Sequence, residues 1–98
     1  MQVTFRQSGG FGGLLRGCDL DTEKMPPGEA AKVRALVEKF DLGEGASLTE
    51  RARDALVYEI TLERGGARRK LLFDELSMPP SAVPLVEYLV ERSSPRRA

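Results

Sequence analysis

Residues 56–73 read LVYEITLERGGARRKLLF, and their periodicity sets the architecture of the chain. Leu56, Tyr58, Ile60 and Leu62 recur at every second position, which places the four side chains on one face of a strand. Gly65-Gly66 supplies a tight turn of the kind that needs positive φ, and Leu71 and Phe73 return on a second strand. The stretch is a hairpin with one buried face. Met78-Pro79-Pro80 then opens a helix in which Ala82, Leu85, Val86 and Leu89 share one face, with Pro84 inside the tolerated first turn.

The first half of the chain has the same grammar. Val3 and Phe5 alternate with Gln2, Thr4 and Arg6, and Leu14, Cys18 and Leu20 keep the period on a returning strand. Arg16 interrupts that inward series, which predicts either a bulge near the loop or a stem running out along the sheet edge with the guanidinium in water. After Met25-Pro26-Pro27, Ala30, Val33, Leu36, Val37 and Phe40 fall on one helix face, Glu29 suits the dipole of the first turn, and Gly43 can end the segment.

The chain therefore reads as a ββα unit used twice. Neither copy can bury its sheet face and its helix face alone, so the expected fold is α+β: a four-stranded, mainly antiparallel sheet with two helices packed on one face. Phe5, Tyr58 and Phe73 are its expected core aromatics. The opposite face is open and carries Thr4, Arg6, Leu15, Asp19, Val57, Glu59, Thr61, Lys70 and Leu72. Between the copies, Leu42 to Asp54 is a connector in which Ser47 and Glu50 have capping-box spacing for a short helical turn.

At 98 residues this is one domain, expected over 1–92, with 93–98 as a disordered basic tail. Fifteen basic and fifteen acidic side chains cancel, which argues against nucleic acid as a partner. The single Cys18 excludes an internal disulfide, and no apolar stretch resembles a signal peptide or a membrane span, so the expected setting is cytoplasmic. Histidine is absent, which removes the commonest general base and zinc ligand. Asp19, Asp21 and Glu23 alternate but lack the loop-plus-glycine spacing of a calcium site, and the glycine run fails both phosphate-loop patterns. The expectation is a protein without cofactor or metal, and not an enzyme.

Ser8-Gly9-Gly10-Phe11-Gly12-Gly13 sets one large aromatic between two glycine pairs. Each glycine costs roughly 0.5 to 1 kcal/mol relative to alanine in a regular element, so such a run has a geometric or a binding reason. Either the loop presents Phe11, or Phe11 folds back over the edge of the sheet.

Phe5-Arg6-Gln7-Ser8-Gly9-Gly10-Phe11-Gly12-Gly13, then Leu20-Asp21-Thr22 and the helix start at Pro26-Pro27, resemble the emfourin family of small protein inhibitors. The likeness runs from about Val3 to Val90 and includes Tyr58 and the helix at Pro80. Arg16 departs from it, standing where the family usually has an aliphatic, and so does the charged connector Asp41 to Arg53. The resemblance implies noncovalent inhibition of a thermolysin-like zinc metallopeptidase, commonly encoded beside the inhibitor in bacteria, by a protein that is monomeric when free. Such peptidases favour a large apolar group after the scissile bond, so Phe11 or Leu14 would obstruct the cleft. Ser8, Gly9, Gly10 and Gly12 would shape the loop. The alternative is a small adaptor that dimerises through a sheet edge or through Leu15, Val57 and Leu72 on the open face.

Overall fold

Both alternating stretches form antiparallel hairpins. In the computed structural model, which describes residues 1–9, 15–39, 45–47 and 56–95, β1 (Gln2–Gly9) pairs with β2 (Arg16–Asp21) from Gln2 opposite Asp21 to Gln7 opposite Arg16. A 3-10 turn, Thr22–Lys24, is capped by Asp21, whose Oδ1 accepts from the Glu23 amide at 3.0 Å. It leads to α1 (Pro27–Lys39), where proline is preorganised at the first helical position. After β3 (Gly45–Ser47) come β4 (Leu56–Arg64) and β5 (Ala67–Asp74), joined through Gly65 and Gly66 at φ 54° and 84°. A 3-10 turn, Pro80–Ala82, precedes α2 (Val83–Glu91), and β6 (Ser94–Pro95) follows.

The two hairpins join through β1 and β4, which are antiparallel from Gln2 opposite Glu63 to Gly9 opposite Leu56. The sheet is wider than the expected four strands: its order is β3-β5-β4-β1-β2-β6, with β3 parallel to β5 and β6 antiparallel to β2. The short additions give hydrogen-bond partners to backbone groups that two bare edges would leave to solvent. Ser47, expected to cap a helical turn, instead ends β3, and Glu50 lies outside the described residues. Ser94 and Pro95, expected in a disordered tail, pair with Gly17 and Arg16. Strand, strand, helix does occur twice in order, but that order alone does not establish duplication of one unit. Pro27 begins a 13-residue helix directly, whereas Pro80 begins a separate 3-10 turn ahead of a nine-residue helix.

Register puts the inward phase of every long strand into one core. Val3, Phe5, Cys18, Tyr58, Ile60, Leu62, Leu71 and Phe73 are buried, together with Ala30 and Val33 of α1 and Leu85, Val86, Tyr88 and Leu89 of α2. Leu36 and Val37 complete the α1 face at partial burial, while Phe40 and Gly43 lie outside the described residues. The three expected core aromatics form a row: Phe5 and Tyr58 stack with ring centroids 6.1 Å apart, and Tyr58 and Phe73 stand 5.9 Å apart. Cys18 behaves as a small core residue, with its thiol 3.6 Å from the Leu89 carbonyl oxygen.

Candidate functional site

The glycine-rich loop grows from an asymmetric stem. Pairing of β1 with β2 reaches Gln7 opposite Arg16, but pairing of β1 with β4 continues two residues further, to Ser8 opposite Val57 and Gly9 opposite Leu56. Among the candidate site residues, Ser8 and Gly9 therefore lie on a strand held by the central sheet. Gly9 has φ 89°, a conformation glycine adopts without a Cβ penalty. Gly10, Phe11, Gly12 and Leu14 lie outside the described residues, and Leu15, next to the start of β2, is half-buried.

No bulge interrupts the stem. The register from Gln2 to Gln7 is continuous, so Arg16 stays on the inward phase with Cys18 and Leu20. Its side chain is only half-buried, yet Nε is shielded from solvent and has no hydrogen-bond partner among the described residues. Of the two expected arrangements the bulge is absent, and Nε at least is withdrawn from solvent.

Charge pairs across strands organise the open face. Arg6 meets Asp19 at 3.4 Å, Lys70 meets Glu59 at 3.1 Å, and Arg68 meets Glu63 at 3.7 Å. Thr61, expected to be solvated there, is buried because it lies on a central strand between Thr4 and Lys70. Val57 and Leu72 are half-buried and stand opposite Asp74 and Glu59. Asp74 is itself buried, its Oδ1 accepting from the Leu76 and Ser77 amides at 2.8 Å each, which turns the chain out of β5.

Two arrangements had no counterpart in the sequence reading. Arg6 folds across Gly17 on the neighbouring strand, and the signal available for it was a glycine inside a strand, next to its first residue. Between the helices, Tyr88 donates to Glu29 with Arg92 over its ring. That hydrogen bond, helped by the charges of Arg92 and Lys32, holds the Glu29 carboxyl below its ordinary range. Burial, and then the bond to Glu29, raises the Tyr88 phenol. Tyr58 is also raised, chiefly by burial and secondarily by the charge of Glu75.

A groove of about 400 Å³ runs beside α2, lined by Tyr58, Met78, Val83, Val86, Val90 and the carboxylates Glu87 and Glu91. A cleft of about 490 Å³ lies at the opposite end of the sheet from Gly9, by Gly65 and Gly66. Among the described residues no three His, Cys, Asp or Glu side chains gather as metal ligands, and no helix is long and apolar enough to cross a membrane. The model of the Emfourin family matches residues 5–90. No curated protein and no solved structure matches the chain.

Proposed function

Because the chain belongs to the Emfourin family, an inhibitor family, we propose that it is a noncovalent protein inhibitor of a thermolysin-like zinc metallopeptidase. The observation that carries this reading is the family match itself, which spans both hairpins and contains the whole run from Ser8 to Leu14. Obstruction of the cleft suits the residues better than capture of the zinc. The chain has no histidine, its one thiol is buried against Leu89, and carboxylates are left as weak candidates. Phe11, or Leu14, supplies the large apolar group on a slender backbone. Ser8, Gly9, Gly10 and Gly12 give the loop its shape, starting from an arm that β4 holds as far as Gly9. The free protein acts as a monomer, and the lone cysteine suits a reducing, cytoplasmic setting.

The decisive measurement titrates a thermolysin-like peptidase with the parent, Phe11→Ala and Leu72→Ala while following the melting temperature of each. An aromatic anchor commonly carries 2 kcal/mol or more, so Phe11→Ala should weaken inhibition by about thirtyfold or more. Its melting temperature should stay near that of the parent. If Leu72→Ala loses inhibition and Phe11→Ala does not, the open face is the working surface. A parent inactive against several such peptidases, including one encoded beside it, sinks the inhibitor reading.

A further inference from the structure

Gly17 is a buried strand residue of ordinary φ, so what it needs is space. A Cβ at this position would collide with the Phe5 carbonyl oxygen and stand 2.9 Å from both Cδ and Nη1 of Arg6. Backbone and side chain both occupy the place a β-carbon would take. The Arg6 side chain fills it by folding back over β2: Nη1 donates to the Phe5 carbonyl at 2.8 Å, and Nη2 reaches Asp19 Oδ1 at 3.4 Å. One planar group thus bridges its own strand and the partner strand through two separate nitrogens in a fixed fork, which a single ammonium nitrogen lacks.

The bridge also sits at a particular level of the hairpin. Arg6 and Gly17 are opposite one another, one pair below the last pair that β1 makes with β2. Beyond that pair β1 is held by β4, while Leu15 has already left the ladder. On the other side of β2, Gly17 and Arg16 pair with Ser94 and Pro95.

We propose that Arg6 and Gly17 are positioning residues: the close approach of the two strands at Gly17, clasped by Arg6, holds in place the two arms, residues 7–9 and 15–17, that carry the glycine-rich loop. The proposal rests on the reading of that loop as the inhibitory element. It assigns no contact with the peptidase to Arg6 itself.

The test compares parent, Arg6→Ala, Arg6→Lys and Gly17→Ala. Exposed ion pairs contribute little to stability, so Arg6→Ala should melt within a few degrees of the parent. Its stem amides, residues 7–9 and 15–17, should exchange with solvent about tenfold faster in the free protein, while those of Ile60 and Leu71 stay within about twofold. Arg6→Lys should resemble Arg6→Ala, because it keeps the charge and loses the fork. Gly17→Ala, where it folds, should show the larger change.

Against the peptidase, Arg6→Ala should weaken inhibition about tenfold in an otherwise unaltered chain and by less than about twofold when Phe11→Ala is already present. Equal losses in both backgrounds would place Arg6 in direct contact with the enzyme and overturn the proposal. Unchanged stem exchange in Arg6→Ala overturns it as well, as does full restoration by lysine. If the parent inhibits nothing, the inhibitor reading falls by itself, and the exchange measurement still decides whether Arg6 sets the stem.

Discussion

Tyr88 donates its phenolic hydrogen to Glu29 Oε2 at 2.7 Å, joining α2 to the first turn of α1. The ring lies under the Arg92 guanidinium, 3.5 Å from its centroid, with the Lys32 ammonium 5.5 Å away, and Arg92 also pairs with Glu29 at 3.5 Å. An aromatic body and a polar tip let one residue serve the core and the helix contact together.

The clasp carries a pH signature. Glu29 titrates below its ordinary 4.5 in the folded protein, so its contribution is present above 4.5 and is lost as pH falls through the lowered value. Tyr88 titrates above its ordinary 10.0, so its contribution is present below 10.0 and is lost as pH rises through the raised value. Tyr88→Phe should cost about 1 kcal/mol near neutral pH, or roughly 4 to 8 °C in melting temperature. It should also flatten both flanks of the stability profile. A parallel downward shift with unchanged flanks would show that the hydroxyl does not couple to Glu29.

Phe73 is almost completely buried, on the inward phase of β5 and against Tyr58. Phe73→Ala should therefore cost roughly 3 to 5 kcal/mol, a large share of the total near 5 to 15 kcal/mol typical of such a domain. Denaturant unfolding reads this directly. A midpoint close to that of the parent would mean that the aromatic row is not the centre of the core.

The hairpins were legible because a two-residue period and a Gly65-Gly66 turn are local signals, and Val3, Phe5, Tyr58, Ile60, Leu71 and Phe73 all went where that period sent them. What escaped was set by distance along the chain. Glu29 and Tyr88 are 59 residues apart, and no local pattern joins a first-turn glutamate to a tyrosine on another helix. The outer strands escaped for a similar reason: Gly45–Ser47 and Ser94–Pro95 have no period of their own and are strands because β5 and β2 offer them an edge. At the stem, Gly17 stood in the sequence as an unexplained glycine, and its meaning depends on where the Arg6 side chain goes.

Both second prolines act at segment starts: Pro27 is the first residue of α1, and Pro80 the first of the 3-10 turn before α2. The Ala30 amide donates to the Pro26 carbonyl at 2.9 Å, and that of Ala82 to the Pro79 carbonyl at 2.9 Å, so neither substitution removes an existing bond. Pro27→Ala or Pro80→Ala should lower stability by about 1 kcal/mol or less, through added freedom of the unfolded chain. Inhibition per folded molecule should not change. A large loss at unchanged melting temperature would mean that the helix entrances touch the peptidase.

Arg16 offers the opposite sign. It occupies an inward position opposite Gln7 and Pro95, with Nε shielded from water and unpartnered among the described residues. A buried N–H without an acceptor carries a penalty of about 1 to 3 kcal/mol, and an aliphatic side chain at the same position removes the donor while keeping the apolar stem. Arg16→Leu should therefore stabilise the protein by about 1 kcal/mol, raising the melting temperature by roughly 4 to 8 °C. Arg16→Gln, which retains buried polar atoms and shortens the stem, should not. If both variants melt below the parent, the guanidinium is held by a contact worth more than its lost hydration. Run beside the peptidase titration, the same pair separates stability from recognition: a stabilised Arg16→Leu that inhibits less than the parent would make this arginine part of the surface that meets the enzyme.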